Sequence, residues 1–374
     1  VSNSYSASLR RFESDYHSDF AYEVFERRDL SQGSSSRDRF WTWYERPELN
    51  PLPTVLRDTL YYNYGFSVLS HSRFGDKLNL LLGGRVDYLD VETKDKTLVG
   101  MPTTSNNATE NTYNVSLSYE LPIGLHAYAT AAESSTLNVD QDGSVSYANV
   151  LNSRFTNQQE LFEAGLKGTF LDNRLYAASA IYEQKTSSFS DQNEANQSIK
   201  ARGLELELRY ALSRNWTFLF NGTWQETTYS PLSGNANFNF LNTAQTGFSG
   251  TAIYGGTVGG VILDEASFPE RSGQPNRVLS TSAIYTHNSG FGANITLTHI
   301  AAVAADRLRT ILLPEANLLD LGFFYKSKTW QFQFNIANVT DERWFRSNFP
   351  ELFGGVVVIP QIPRSYKFSA TYNF

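Results

Sequence analysis

Arginine and aromatic side chains recur together in irregular stretches of the chain. Arg39, Trp41, Trp43, Tyr44 and Arg46 form one cluster and Arg343, Trp344, Phe345 and Arg346 another, while Arg307 and Arg309 add a pair of arginines without an aromatic. A guanidinium offers a fork of donors to carboxylate-like oxygens, and an indole offers a face to a ring or a cation. Side by side they suit capture of an anionic, ring-bearing small molecule such as an iron chelate. The same residue types suit a second duty: Trp and Tyr as a belt at a membrane interface, and Arg against lipopolysaccharide phosphates.

Catalysis is not written in this chain. The five histidines, His17, His71, His126, His287 and His299, are dispersed, with no H-x-H or H-E-x-x-H spacing. No G-x-S-x-G elbow occurs. The glycine run Gly255–Gly260 lacks the Lys-Ser/Thr and the helix that a phosphate loop needs. There is no cysteine, hence no disulfide and no thiolate metal site. The net charge of −7 argues against a nucleic-acid partner. The expectation is a non-enzyme without metal or cofactor.

The elements that must hold these clusters are strands. Leu204, Leu206, Leu208 and Tyr210 alternate with Glu205, Glu207 and Arg209. A strand sends the two sets to opposite faces, whereas a helix would smear the charge around its circumference. Leu60 to Val68, Tyr113 to Tyr119, Trp216 to Phe220 and Trp330 to Ile336 alternate likewise. The last segment sends Tyr366, Phe368, Ala370, Tyr372 and Phe374 one way, and Lys367, Ser369 and Thr371 the other. Strands are predicted over 3–12, 18–28, 57–73, 77–92, 111–121, 125–135, 159–170, 174–186, 199–211, 215–228, 276–287, 291–303, 315–327, 329–340 and 364–374, with no convincing helix. Short connections such as 74–76 and 288–290 alternate with long ones such as 29–56, 93–110, 136–158, 229–275 and 341–363. That layout, with strands longer than the roughly five or six residues usual in soluble sheets, predicts an all-β, antiparallel transmembrane β-barrel in meander order. The apolar sets, with Leu204, Leu206 and Leu208, are expected to face outward. Glu205 and Glu207 are expected to face the lumen.

Composition agrees. Only 18% of residues are charged and 14% are aromatic, with 21 Tyr and 26 Phe, which fits strands at a lipid interface. No apolar run approaches the roughly 18 residues of a membrane helix. The first residues lack a signal-peptide pattern.

Several motifs, in order, resemble the barrel of TonB-dependent outer-membrane receptors. They are Leu80-Leu81-Leu82-Gly83-Gly84-Arg85-Val86-Asp87; Glu160 to Phe170 followed by Leu171-Asp172-Asn173-Arg174-Leu175; Ala201-Arg202-Gly203-Leu204-Glu205-Leu206-Glu207; Leu318 to Gly322; Asn335 to Phe345; and Pro363-Arg364-Ser365-Tyr366. Gly84 and Gly203 read as relief of crowding in the wall, and Asn338 and Asp341 as a strand end turning into a loop.

The resemblance implies a receptor of the bacterial cell outer membrane, taking up a ferric siderophore with energy from the TonB complex. It implies a 22-stranded barrel around an N-terminal plug. With about 15 strands counted and no plug, residues 1–374 would be its C-terminal part. Counting back from a descending last strand, the first strand is expected to descend too. Tyr366, Phe368, Tyr372 and Phe374 are similar to the signal read by the barrel assembly machinery. Arg39, Trp41, Trp43, Tyr44, Arg46, Arg307, Arg309, Trp344 and Arg346 are the candidate ligand contacts. Cobalamin, oligosaccharide or haem remain open as cargo. A passive, porin-like channel remains the competing class.

Overall fold

A two-residue period is stable when each face of the strand meets its own medium. The chain meets that condition with a sheet of fourteen long strands. A computed structural model describes residues 1–374 except 19–20, 23–49, 52–54, 140–142, 190–195, 230–234, 241–258, 268, 306–308, 310, 349–356 and 374. The strands are β1 (Ser2–Ser18), β2 (Val55–Phe74), β3 (Leu78–Asp95), β4 (Thr103–Glu120), β5 (Leu125–Leu137), β6 (Thr156–Phe170) and β7 (Leu175–Phe189). They continue with β8 (Asn196–Ala211), β9 (Trp216–Tyr229), β10 (Arg277–Thr286), β11 (Phe291–Ile300), β12 (Ala316–Lys326), β13 (Trp330–Ala337) and β14 (Ser365–Tyr372). Each pairs antiparallel with the next, giving a plain meander from β1 to β14. Among the described residues, β1 and β14 each have a single partner strand.

The expected strands 3–12 and 18–28 resolve differently. One strand, β1, runs through both the first segment and the corner predicted after it, pairing with β2 along its whole length from Ser2↔His71 to Ser18↔Val55. Ser18 ends β1, Ala21–Tyr22 pairs with Asn50–Pro51 in a short ribbon, and 19–20 and 23–28 lie outside the described residues. Among the described residues the main sheet therefore holds fourteen long strands, against about fifteen expected. β1 leaves from the end of the sheet that carries the short turns, so it ascends, opposite to the expected direction. The expected loop 93–110 is mostly strand as well, because Thr59↔Thr93 and Thr93↔Thr104 continue the ladders upward. Its residues are polar on the outer side, which hid the alternation.

The register separates the faces. Leu117, Ala129, Ala164, Ile181 and Leu204 form one row across five strands, and Val115, Leu82 and Val68 lie on the same face. Side chains of this outer face are open to the surroundings, as at Phe66, Phe162, Ile181 and Phe368. Ser118, Tyr128, Gly165, Ala180, Glu205 and Thr223 form a row of the inner face. The lumen side is thus lined by Glu205 and Glu207, and Lys367 and Thr371 share its parity through Asn335 and Gln331. An aromatic ladder marks the short-turn end of the outer face, with Trp216 on Tyr285, Phe291 on Tyr325 and Trp330 on Tyr372 at 4.5–4.9 Å between ring centroids. Tyr366, Phe368 and Tyr372 belong to this outer face; Phe374 lies outside the described residues.

Toward the long-loop end the pattern inverts. On β4 the outer side changes from Tyr119, Leu117, Val115 and Tyr113 to Asn111, Thr109, Asn107 and Ser105. On the inner side, Tyr61, Leu89 and Val91 are buried against Val145, Val150 and Phe155. These last three come from the connection between β5 and β6, which folds back into the upper lumen and includes a single-turn helix, α1 (Tyr147–Leu151). No helix was predicted there. A five-residue helix has little stability of its own, so its conformation comes from packing. Thr93 Oγ1 donates to the Val145 carbonyl (3.0 Å), the Val145 N–H donates to Thr59 Oγ1 (3.2 Å), and Asn106 Nδ2 donates to the Val150 carbonyl (3.1 Å). Burial of each large apolar side chain adds roughly 1.5–3 kcal/mol.

Candidate functional site

At the long-loop end, the segment between β9 and β10 is laid back along the top of β9. The Arg271 N–H donates to the Thr227 carbonyl (2.9 Å), the Tyr229 N–H donates to the Pro269 carbonyl (2.8 Å), and Gln225 Nε2 donates to the Pro275 carbonyl (3.0 Å). Above β13 and β14 a second ribbon rises, Phe345–Asn348 paired with Val357–Pro360. Between these two pieces, and the tops of β10 and β11, lies a cavity of about 530 Å³.

Its chemistry is uneven in a useful way. Arg271 and Arg346 line it together with the indole of Trp344, while Val278 and Ile300 form its apolar floor. No carboxylate is among the lining residues. Ser272 also lines it; the residue is 3% exposed and its Oγ has no hydrogen-bond partner. A buried hydroxyl without a partner carries a desolvation cost of about 1–3 kcal/mol. Two arginines and a tryptophan thus border one cavity in a chain whose net charge is −7. The arrangement offers charge-assisted donors and an aromatic face, the groups that suit an anion with a flat or ring-bearing body.

The candidate residues divide. Trp344 and Arg346 come together at this cavity. Arg309 lies in an adjoining cavity of about 280 Å³, where it forms an ion pair with Glu270. Arg39, Trp41, Trp43, Tyr44, Arg46 and Arg307 lie outside the described residues. Arg271 and Ser272 were not singled out from the sequence. No Trp or Tyr stands near them in the sequence to flag them, and the fold-back of their segment onto β9 brings them to the cavity that Trp344 lines. Elsewhere on the inner wall, Tyr128 Oη donates to Glu163 (2.8 Å) with the Lys167 ammonium 5.1 Å from the same ring. An apolar groove near Phe291, Phe323, Phe334 and Phe368 is formed mainly by the outer aromatic ladder.

The family model described as "TonB dependent receptor-like, beta-barrel" matches residues 2–339. No curated protein matches the sequence. Among solved structures, the chain is similar to the siderophore receptor PiuA from Acinetobacter baumannii, at 17% identity and a TM-score of 0.72, covering 99% of this chain and 53% of that one. It is similar to the ferric yersiniabactin uptake receptor FyuA from Yersinia pestis, at 12% identity and a TM-score of 0.68, covering 100% and 51%. A third is the ferric-catecholate import receptor Fiu from E. coli K12 in its closed form, at 14% identity and a TM-score of 0.62, covering 86% and 46%. The chain spans about half the length of these structures. At these identities the likeness is one of fold.

Proposed function

Because the chain belongs to the TonB-dependent receptor β-barrel family, we propose that it forms wall and mouth of a bacterial outer-membrane receptor that imports an anionic ferric siderophore. The family comprises receptor barrels, not enzymes. The outer apolar belt supports residence in a lipid bilayer, where a strand ladder with an apolar face satisfies its backbone internally. TonB-driven uptake is a property proposed for the whole receptor.

The observation that carries the cargo reading is the carboxylate-free cavity with Arg271, Arg346 and Trp344. Two cations facing one cavity repel each other and attract an anion. Solved structures of the same fold include a siderophore receptor, a ferric yersiniabactin uptake receptor and a ferric-catecholate import receptor. Iron-55 uptake by cells producing the receptor from its full coding sequence tests the reading, with ferric citrate and a ferric tris-catecholate as anionic probes and ferric desferrioxamine as a cationic one. Uptake of an anionic probe that stops when TonB is deleted is the expected result. Uptake indifferent to TonB would assign the barrel to passive diffusion, and preference for the cationic probe would remove the anion reading.

A further inference from the structure

The ribbon that carries Trp344 and Arg346 is not a straight extension of β13 and β14. Ala337 still pairs with Ser365, and Phe345 pairs with Pro360. Between them the backbone turns through two left-handed residues, Asn338 (φ 52°) and Asp341 (φ 57°). Asn, Asp and Gly are the residues that enter this region most readily.

Asn338 does more than turn the chain. It is 5% exposed. Its Nδ2 donates to the Glu342 carbonyl (2.9 Å) and its Oδ1 accepts from the Glu342 N–H (2.9 Å), so one side chain closes a ring with the backbone four residues on. Its own N–H donates to Asp320 Oδ1 on the inner face of β12 (2.7 Å). Asp341 Oδ1 accepts from the Arg364 N–H (2.9 Å), and the Gln361 N–H donates to the Trp344 carbonyl (3.0 Å), which ties the two arms of the ribbon together.

The corner sets a direction. Trp344 and Arg346 share the cavity with Val278 and Ile300, at the tops of β10 and β11. In the sheet, β12 stands between β11 and β13. The ribbon therefore leans across β12, and Ser347 Oγ donates to the Ala305 carbonyl on the far side (3.2 Å). The tie to Asp320 lies under that lean.

We infer that Asn338, anchored by Asp320, is the positioning residue of the cavity: it sets the angle at which Trp344 and Arg346 are presented. It is not among the residues lining the cavity and acts through the ribbon. For its bearing on cargo, the inference rests on the ligand reading above. A glycine at this position would supply the left-handed turn without the ring to Glu342. An aspartate would keep the acceptor of that ring and lose the donor.

The test uses the receptor produced from its full coding sequence in intact cells. Asn338→Gly, Asn338→Asp and the double variant Trp344→Ala/Arg346→Ala are compared with wild type. Surface abundance, the rate of trypsin cleavage after Arg346, and binding of ferric citrate and a ferric tris-catecholate are measured. Asn338→Gly is expected to keep abundance within about two-fold, to be cut after Arg346 about ten-fold faster as the ribbon opens locally, and to bind the recognised probe about ten-fold more weakly. Asn338→Asp should fall between. Wild-type cleavage rates in Asn338→Gly would overturn the inference, as would a collapse of abundance in both Asn338 variants, which would mark a residue needed only for folding. Should the double variant bind as wild type does while Asn338→Gly is cut faster, the ligand reading fails and the positioning role stands. If wild type binds neither probe, the cleavage rates alone decide.

Discussion

Arg85 lies across Gly65. A Cβ at Gly65 would overlap the guanidinium and stand 2.6 Å from Asp87 Oδ1. The space left by the missing side chain lets Arg85 donate twice to Asp87, both at 2.6 Å, and once to Ser8 Oγ of β1 at 2.9 Å. One arginine on β3 thus bridges over β2 to β1 on the inner face. Gly65→Ala is predicted to lower barrel stability by about 1–2 kcal/mol, as overpacking does, but only while Arg85 is present. A double-mutant cycle with Arg85→Ala, read from the temperature at which heat-modifiable mobility is lost, checks this. Additive effects would mean that the two residues are not coupled.

Phe155 anchors the inward-folded segment before β6. It is 1% exposed and packs with Val91, Val145 and Val150. Phe155→Ala is expected to free residues 143–155 locally, because an aromatic truncated in a core costs about 3–5 kcal/mol. Trypsin should then cut after Arg154 at least ten-fold faster, while the heat-modifiable barrel persists. Unchanged cleavage would mean that the hydrogen bonds from Thr59, Thr93 and Asn106 suffice.

Arg271 and Arg309 should behave differently although both border the same corner. Loss of a charge-assisted hydrogen bond costs about 1.5–3 kcal/mol, so Arg271→Ala should weaken binding of an anionic ferric chelate by roughly ten- to hundred-fold. Arg309 is already neutralised by Glu270, and Arg309→Ala should change affinity less than about three-fold, on the scale of an exposed pair. Titration of the purified receptor with ferric citrate or a ferric tris-catecholate compares the two. Equal losses would show that Arg309 leaves Glu270 for the ligand.

Parity on the last strand gives a test of assembly. Phe368 is 67% exposed on the outer face, while Ser369 pairs with Gln333 on the inner one. If the outer aromatics act as an assembly signal, Phe368→Ser should lower outer-membrane abundance several-fold with transcript levels unchanged, and Ser369→Ala should not. Loss in both variants would point to general fragility of β14 instead.

Much of the fold was legible in the sequence, because a strand's period of two is a local property. Leu204 and Glu205 announce opposite faces whatever they pair with, and β8 places them so. The alternation faded where the surroundings of the outer face changed. Above Tyr113 the outer side of β4 is polar, so 103–110 read as loop. In β1 a break was expected over 13–17, between strands 3–12 and 18–28, yet the ladder to β2 runs on unbroken to Ser18, since pairing supplied by a distant strand outweighs a weak local signal.

The sequence by itself determined the alternation, the short turns, the near absence of helix and the clusters of arginine with tryptophan. Only the tertiary structure decided which arginines serve a cavity. Arg309 is paired by Glu270, Arg271 meets Trp344 because its segment folds back on β9, and Arg346 arrives over β12 because Asn338 bends the ribbon. The reason is physical: a residue's charge and local conformational preference travel with the chain, but its free energy toward a ligand depends on which opposite charges stand within a few ångströms. Those neighbours are set by strand register and loop direction, across tens to hundreds of intervening residues.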